Sequence, residues 1–75
     1  MDRINNNDIV RHFKGKLYQV IANNAYDSED HDRRLVVYRS LETGIVWVRP
    51  YDMFMSEVDR EKYPNISQKY RFEKV

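Results

Sequence analysis

The chain has no cysteine, only two glycines and two prolines, and nowhere a long apolar run. The first absence excludes disulfide staples and thiolate zinc sites, and it fits a reducing compartment. Two glycines cannot build a glycine-rich phosphate loop. No stretch approaches the ~20 apolar residues of a membrane helix, and the opening MDRINNND lacks the apolar centre of a secretory signal. A soluble, cytoplasmic protein is the expectation. Excess charge is missing too: 13 basic and 12 acidic residues leave +1, which removes the simplest argument for a nucleic-acid binder.

What the chain does have is rings. Ten aromatics stand among 75 residues: Phe13, Tyr18, Tyr26, Tyr38, Trp47, Tyr51, Phe54, Tyr63, Tyr70 and Phe72. A chain this short buries only about 60% of its unfolded surface, so these rings and the β-branched residues must supply the core. The length suits one domain over residues 9–75, and the polar segment 1–8 is expected to fray.

The pattern is strand-like from Leu17 onward. KLYQVIAN sets Tyr18, Val20 and Ala22 against Leu17, Gln19 and Ile21, in the two-residue alternation of a strand. RLVVYRSL (34–41) and IVWV (45–48) read as two further strands. YRFEKV closes the chain with Tyr70 and Phe72 on one face and Arg71 and Glu73 on the other. Gly15 and Gly44 fall where turns are wanted. Residues 51–62 hold room for a turn or two of helix, and Pro50 to Phe54 suit a single 3₁₀ turn. The expected fold class is all-β: a small SH3-like, partly open barrel of about five strands.

Leu41 to Gly44 suits a type I turn with glycine fourth, hence a three-residue loop pairing Leu41 with Ile45. In that register Arg39 opposes Trp47, Val37 opposes Arg49, Tyr38 opposes Val48 and Ser40 opposes Val46. Val36, Tyr38, Val46 and Val48 would then face the core. Arg39, Trp47 and Arg49 would share the outer face, as a tryptophan platform flanked by guanidinium forks. Trp and Arg dominate interface hot spots, so these three residues are the candidate binding site. The bland alternative is a purely structural Arg–Trp stack, or a terminus lying over it.

Several fragments carry a resemblance when taken in order: RHFKG, LYQV, LVVYRSL, WVRP followed three residues later by MF, and a late RFE. From about residue 10 to residue 73 the chain resembles the bacterial domain-of-unknown-function family numbered sixteen fifty-three. The resemblance implies a compact SH3-like barrel from bacteria and brings no activity with it. Two departures stand out: NNNDIV in place of a glycine and an aromatic before RHFKG, and a long DREKYPNISQKY spacer before RFE.

Catalysis has little to stand on. A nucleophile, a base and an orienting group must converge, yet there is no cysteine, and His12 and His31 lie in different contexts. The expectation is no enzyme and no cofactor. The acidic stretch DSEDHD (27–32) matches no calcium or zinc template and reads as a solvated hairpin tip, so no metal site is expected. His12 reads as a turn-capping residue. Arg11, Lys14 and Lys16 form a basic stretch that leaves a weak nucleic-acid binder as the runner-up. The leading expectation is a non-catalytic module for a protein or peptide partner, its oligomeric state left open.

Overall fold

The computed structural model describes residues 3–75. It is an all-β domain built on one antiparallel sheet of five strands: β1 (Ile9–His12), β2 (Leu17–Tyr26), β3 (Arg34–Ser40), β4 (Val46–Pro50) and β5 (Phe72–Lys74). A single helical turn, α1 (Tyr51–Phe54), follows β4. The spatial order is β4-β3-β2-β1-β5, so β4 and β5 are the two edges of an open sheet. The sheet curls so that Phe72 of β5 lies 5.4 Å, ring to ring, from Tyr38 of β3 and 5.9 Å from the Arg49 guanidinium of the other edge strand, β4.

Aromatic packing holds that curl. Phe54 and Phe72 stack with centroids 4.1 Å apart and planes within 10°. Tyr38 meets both rings, and Tyr18 meets Tyr38 and Phe72 edge-on. Val10, Val20 and Val36 fill the space between them and are fully buried. The expected alternation holds along β3, where Val36, Tyr38 and Ser40 are buried and Arg39 is exposed.

The two tight hairpin turns, β1–β2 and β3–β4, differ by one residue, and that difference decides the faces. At the first, Gly15 N–H bonds His12 O and His12 N–H bonds Lys16 O, closing a three-residue loop with Gly15 at φ +104°. The second was expected to do the same and does not. Ser40 Oγ accepts from the N–H groups of Glu42 and Thr43, much as a serine caps a helix. Gly44 N–H then bonds Ser40 O, and Ser40 N–H bonds Ile45 O. The loop holds four residues, 41–44, instead of three. Tyr38 therefore pairs with Trp47, Val36 with Arg49 and Arg39 with Val46. A one-residue slip sends every side chain of a strand to the other face. Trp47 and Arg49 lie on the core side of the sheet; Val46 and Val48 face outward with Arg39.

Two smaller expectations are also corrected. The turn after Pro50 is α-helical rather than 3₁₀, because Met55 N–H reaches back four residues to Tyr51 O at 2.9 Å. Residues 3–8 do not fray. Ile4 is fully buried, and Arg3 donates to Phe72 O at 2.7 Å while lying 3.8 Å above the Tyr70 ring. Asn7 N–H bonds Val20 O, and Asn23 Nδ2 donates to Ile4 O. Met1 and Asp2 lie outside the described residues. Ile4→Ala should thus destabilise the domain by about 2 to 4 kcal/mol, a core-sized loss. A chemical denaturation midpoint unchanged from wild type would show that the segment contributes nothing.

Candidate binding groove

The slipped register builds a site that the expected one would have dispersed. Trp47 and Arg49 project from β4 onto the side where β1, β2, β3 and β5 present His12, Tyr18, Tyr38 and Phe72. These six side chains line a recess of about 190 Å³. His12 and Arg49 also form one wall of a second recess, of about 270 Å³, with Lys14, Lys62, Tyr63 and Arg71 around it and Asp59 as its acid. On the other side, Tyr18 and Trp47 border a third hollow that reaches Ser40 and Thr43. Shared lining residues make the three hollows neighbours, and together they form the candidate groove, aromatic in the middle and cationic at one end.

Trp47 stands on its rim and is 48% exposed. Arg49 is half-buried, and its Nη1 is shielded from solvent with no hydrogen-bond partner. A buried guanidinium nitrogen without an acceptor is uncommon and costly, and it favours any acceptor that enters. Burial pushes the Tyr38 hydroxyl above its usual range, with the Arg49 charge and that guanidinium's hydrogen bonding to the hydroxyl pulling the other way. This phenol stays neutral, and Nη1 alone is the Arg49 nitrogen left buried without an acceptor.

His12 does cap a turn. Its Nδ1 accepts from Lys14 N–H at 3.1 Å, and the ring stacks on Phe13 and meets Phe72 edge-on. Burial, then the charges of Arg49, Arg71 and Lys14, push its pKa from 6.5 down to about 4. The ring is neutral at pH 7, and with Nδ1 accepting, Nε2 carries the proton. Between pH 6.5 and about 4 the unfolded chain binds a proton that the folded chain refuses, so stability falls as pH falls through that window. Melting temperatures should drop from pH 7 to pH 4 and drop less steeply for His12→Gln. Parallel profiles for the two proteins would contradict this assignment.

Arg39, the third residue of the expected platform, is not in the groove. It lies on the outer face, where its Nη2 donates to Gln19 Oε1 at 3.0 Å across the β2–β3 pair. Of the basic stretch, Lys14 reaches the groove near the Tyr63 ring, Lys16 pairs with Glu42, and Arg11 is exposed on β1. The sequence reading missed His12, Tyr18, Tyr38, Phe72 and Arg71 as groove residues. Serine at the head of the β3–β4 turn was the signal that would have put Trp47 and Arg49 on the Tyr38 face; His12, Phe72 and Arg71 come from β1 and the C-terminal segment, which that turn does not position.

The acidic hairpin tip uses its side chains locally. Asp27 Oδ1 accepts from Glu29 N–H and Asp30 Oδ1 from Asp32 N–H, while His31 Nε2 bonds Ser28 O. Among the described residues no three potential metal ligands cluster. Another hollow, about 600 Å³, lies between this tip and the start of α1. It is a wide notch lined by charges of both signs, with Arg34 lying over Tyr51.

Fold and groove together define a small all-β domain with an open aromatic cleft and a cationic end. The family model described as "Protein of unknown function (DUF1653)" matches residues 8–74, and the chain belongs to that family. No curated protein and no solved structure matches it. Among the described residues no helix is long and apolar enough to cross a membrane.

Proposed function

We propose that the domain is a non-catalytic binding module whose groove holds a protein or peptide partner, with Trp47 and Arg49 as its anchors. The observation that carries this is the pairing of a half-exposed indole with a buried, partnerless guanidinium nitrogen on the wall of one aromatic recess. Such a pair supplies contact area and a directional donor at one spot, the chemistry of an interface hot spot. The non-catalytic part rests on His12. Its Nδ1 is occupied by a backbone N–H, its basicity is suppressed, and no serine, threonine or cysteine lines either recess beside it. In this proposal the chain is a cytoplasmic bacterial module of SH3-like shape, as its cysteine-free composition and family resemblance support.

Affinity capture from a bacterial lysate tests the reading. A partner retained by the wild type and lost by Trp47→Ala supports the groove, and equal retention by both refutes it. A second reading, weak nucleic-acid binding, is favoured by Lys14, Lys62 and Arg71 gathering at one end of the groove. Its mark is a steep loss of oligonucleotide affinity with salt.

A further inference from the structure

We infer that the groove takes the free C-terminus of an extended peptide, laid as a parallel strand along the outer edge of β4 with its carboxylate at Arg49. This rests on reading the groove as a binding site and names the ligand's chemistry.

The edge comes first. Ser40 N–H bonds Ile45 O, and hydrogen-bonded partners in an antiparallel pair recur at every second residue. The backbone groups of Trp47 and Arg49 therefore turn toward β3, and those of Val46 and Val48 turn away from the sheet. β4 ends the strand order, so its outward groups face no further strand among the described residues. Sheet edges are commonly guarded by charge, bulges or proline. Ile45 to Val48 carry no charge and their pairing with β3 shows no bulge; the guards on β4, Arg49 and Pro50, stand only at its end. The edge is open to an added strand.

The ladder stops at Pro50, which falls on the outward-facing alternation and has no N–H to give. A peptide following β4 loses its pairing there, one residue past Arg49. At that end lie the partnerless Arg49 Nη1 and the recess that also holds Lys14, Lys62 and Arg71. An antiparallel peptide would bring its ammonium terminus into that cationic end. A parallel one brings its carboxylate, which a guanidinium fork and Nη1 can hold by charge-assisted hydrogen bonds. The side chain of the last residue would then enter the 190 Å³ recess among Tyr18, Tyr38, Trp47 and Phe72, which selects an apolar one. Nucleic acid fits less well. It offers no strand to pair with the edge, and toward the other end of the groove Lys16 is already neutralised by Glu42.

The test is a selection on the purified full chain with two libraries of random octapeptides. One library displays free C-termini, and the other continues into the carrier protein. Enrichment is expected from the first library, with apolar final residues. Amidating the C-terminus of the best synthetic peptide should weaken binding by roughly tenfold or more, read from Trp47 fluorescence. Arg49→Gln should weaken it similarly, and Arg49→Lys should recover only part, because lysine lacks the planar fork. The amidated peptide needs no protein variant, so a misfolded Arg49 substitution leaves the test intact. Enrichment only from the second library, no enrichment from either, or tolerance of amidation would overturn the assignment. So would binding confined to an oligouridylate probe, or a β4-mediated dimer that excludes peptide. If amidation is tolerated while Trp47→Ala still abolishes binding, the carboxylate assignment fails and the groove stands. If Trp47→Ala is tolerated as well, both fail.

Discussion

Phe72→Ala should leave most molecules unfolded at 25 °C. Phe72 is 1% exposed, stacks on Phe54 and meets the rings of His12, Tyr18 and Tyr38. Removing a buried phenyl costs about 3 to 5 kcal/mol, because lost transfer energy adds to the cavity left behind. A domain of this size keeps only about 3 to 5 kcal/mol in total. One substitution is therefore enough. The side chain sits on β5, a three-residue strand at the edge of the sheet, yet it joins that strand to β3 through the core. Phe72→Leu refills part of the volume and should retain a cooperative melt at lower temperature. A Phe72→Ala protein with a near-wild-type melting temperature would mean that β5 is an ornament rather than part of the core.

Trp47→Ala should do the opposite: keep the fold and lose the partner. The indole is half outside, on an edge strand where every residue from Val46 to Val48 is exposed, so the core loses little with it. Truncating a hot-spot tryptophan costs about 2 kcal/mol or more of binding, roughly thirtyfold in affinity. Melting temperature and affinity should thus separate for this variant, and stay coupled for Phe72→Ala. Trp47 is the sole tryptophan, so its fluorescence reports on the groove directly. In the free protein it should be open to an aqueous quencher and protected once a partner binds. A quencher-resistant indole in the free monomer would mean the groove is already covered, and the binding proposal would fail.

Much of this molecule was legible in the chain. Alternation along RLVVYRSL placed Val36 and Tyr38 inward and Arg39 outward, because pleat geometry admits no other arrangement within one strand. Gly15 marked its turn through a positive φ that suits glycine. Trp47 and Arg49 were singled out by residue type, and both line the groove. Local pattern could not decide how two strands align. That was settled in the β3–β4 loop, where the Ser40 hydroxyl took two backbone N–H groups and lengthened the loop by one residue. What marks the observed loop is this pair of short-range hydrogen bonds. The consequence is large because strand periodicity is two: Arg39 left the site, and Tyr18, Tyr38 and Phe72 joined it. The N-terminal segment shows the same division. MDRINNND reads as polar and loose, but Ile4 is a single apolar residue that finds a closed site only after the sheet has curled, and Arg3 finds a carbonyl and a ring on residues 72 and 70. The sequence by itself determined the strands from Leu17 onward, though not β1, and the alternation along each, since those follow from neighbours two positions apart. Register, the burial of Ile4 and the convergence of His12, Arg49 and Arg71 were decided by tertiary structure, because each depends on contacts between residues far apart in the chain.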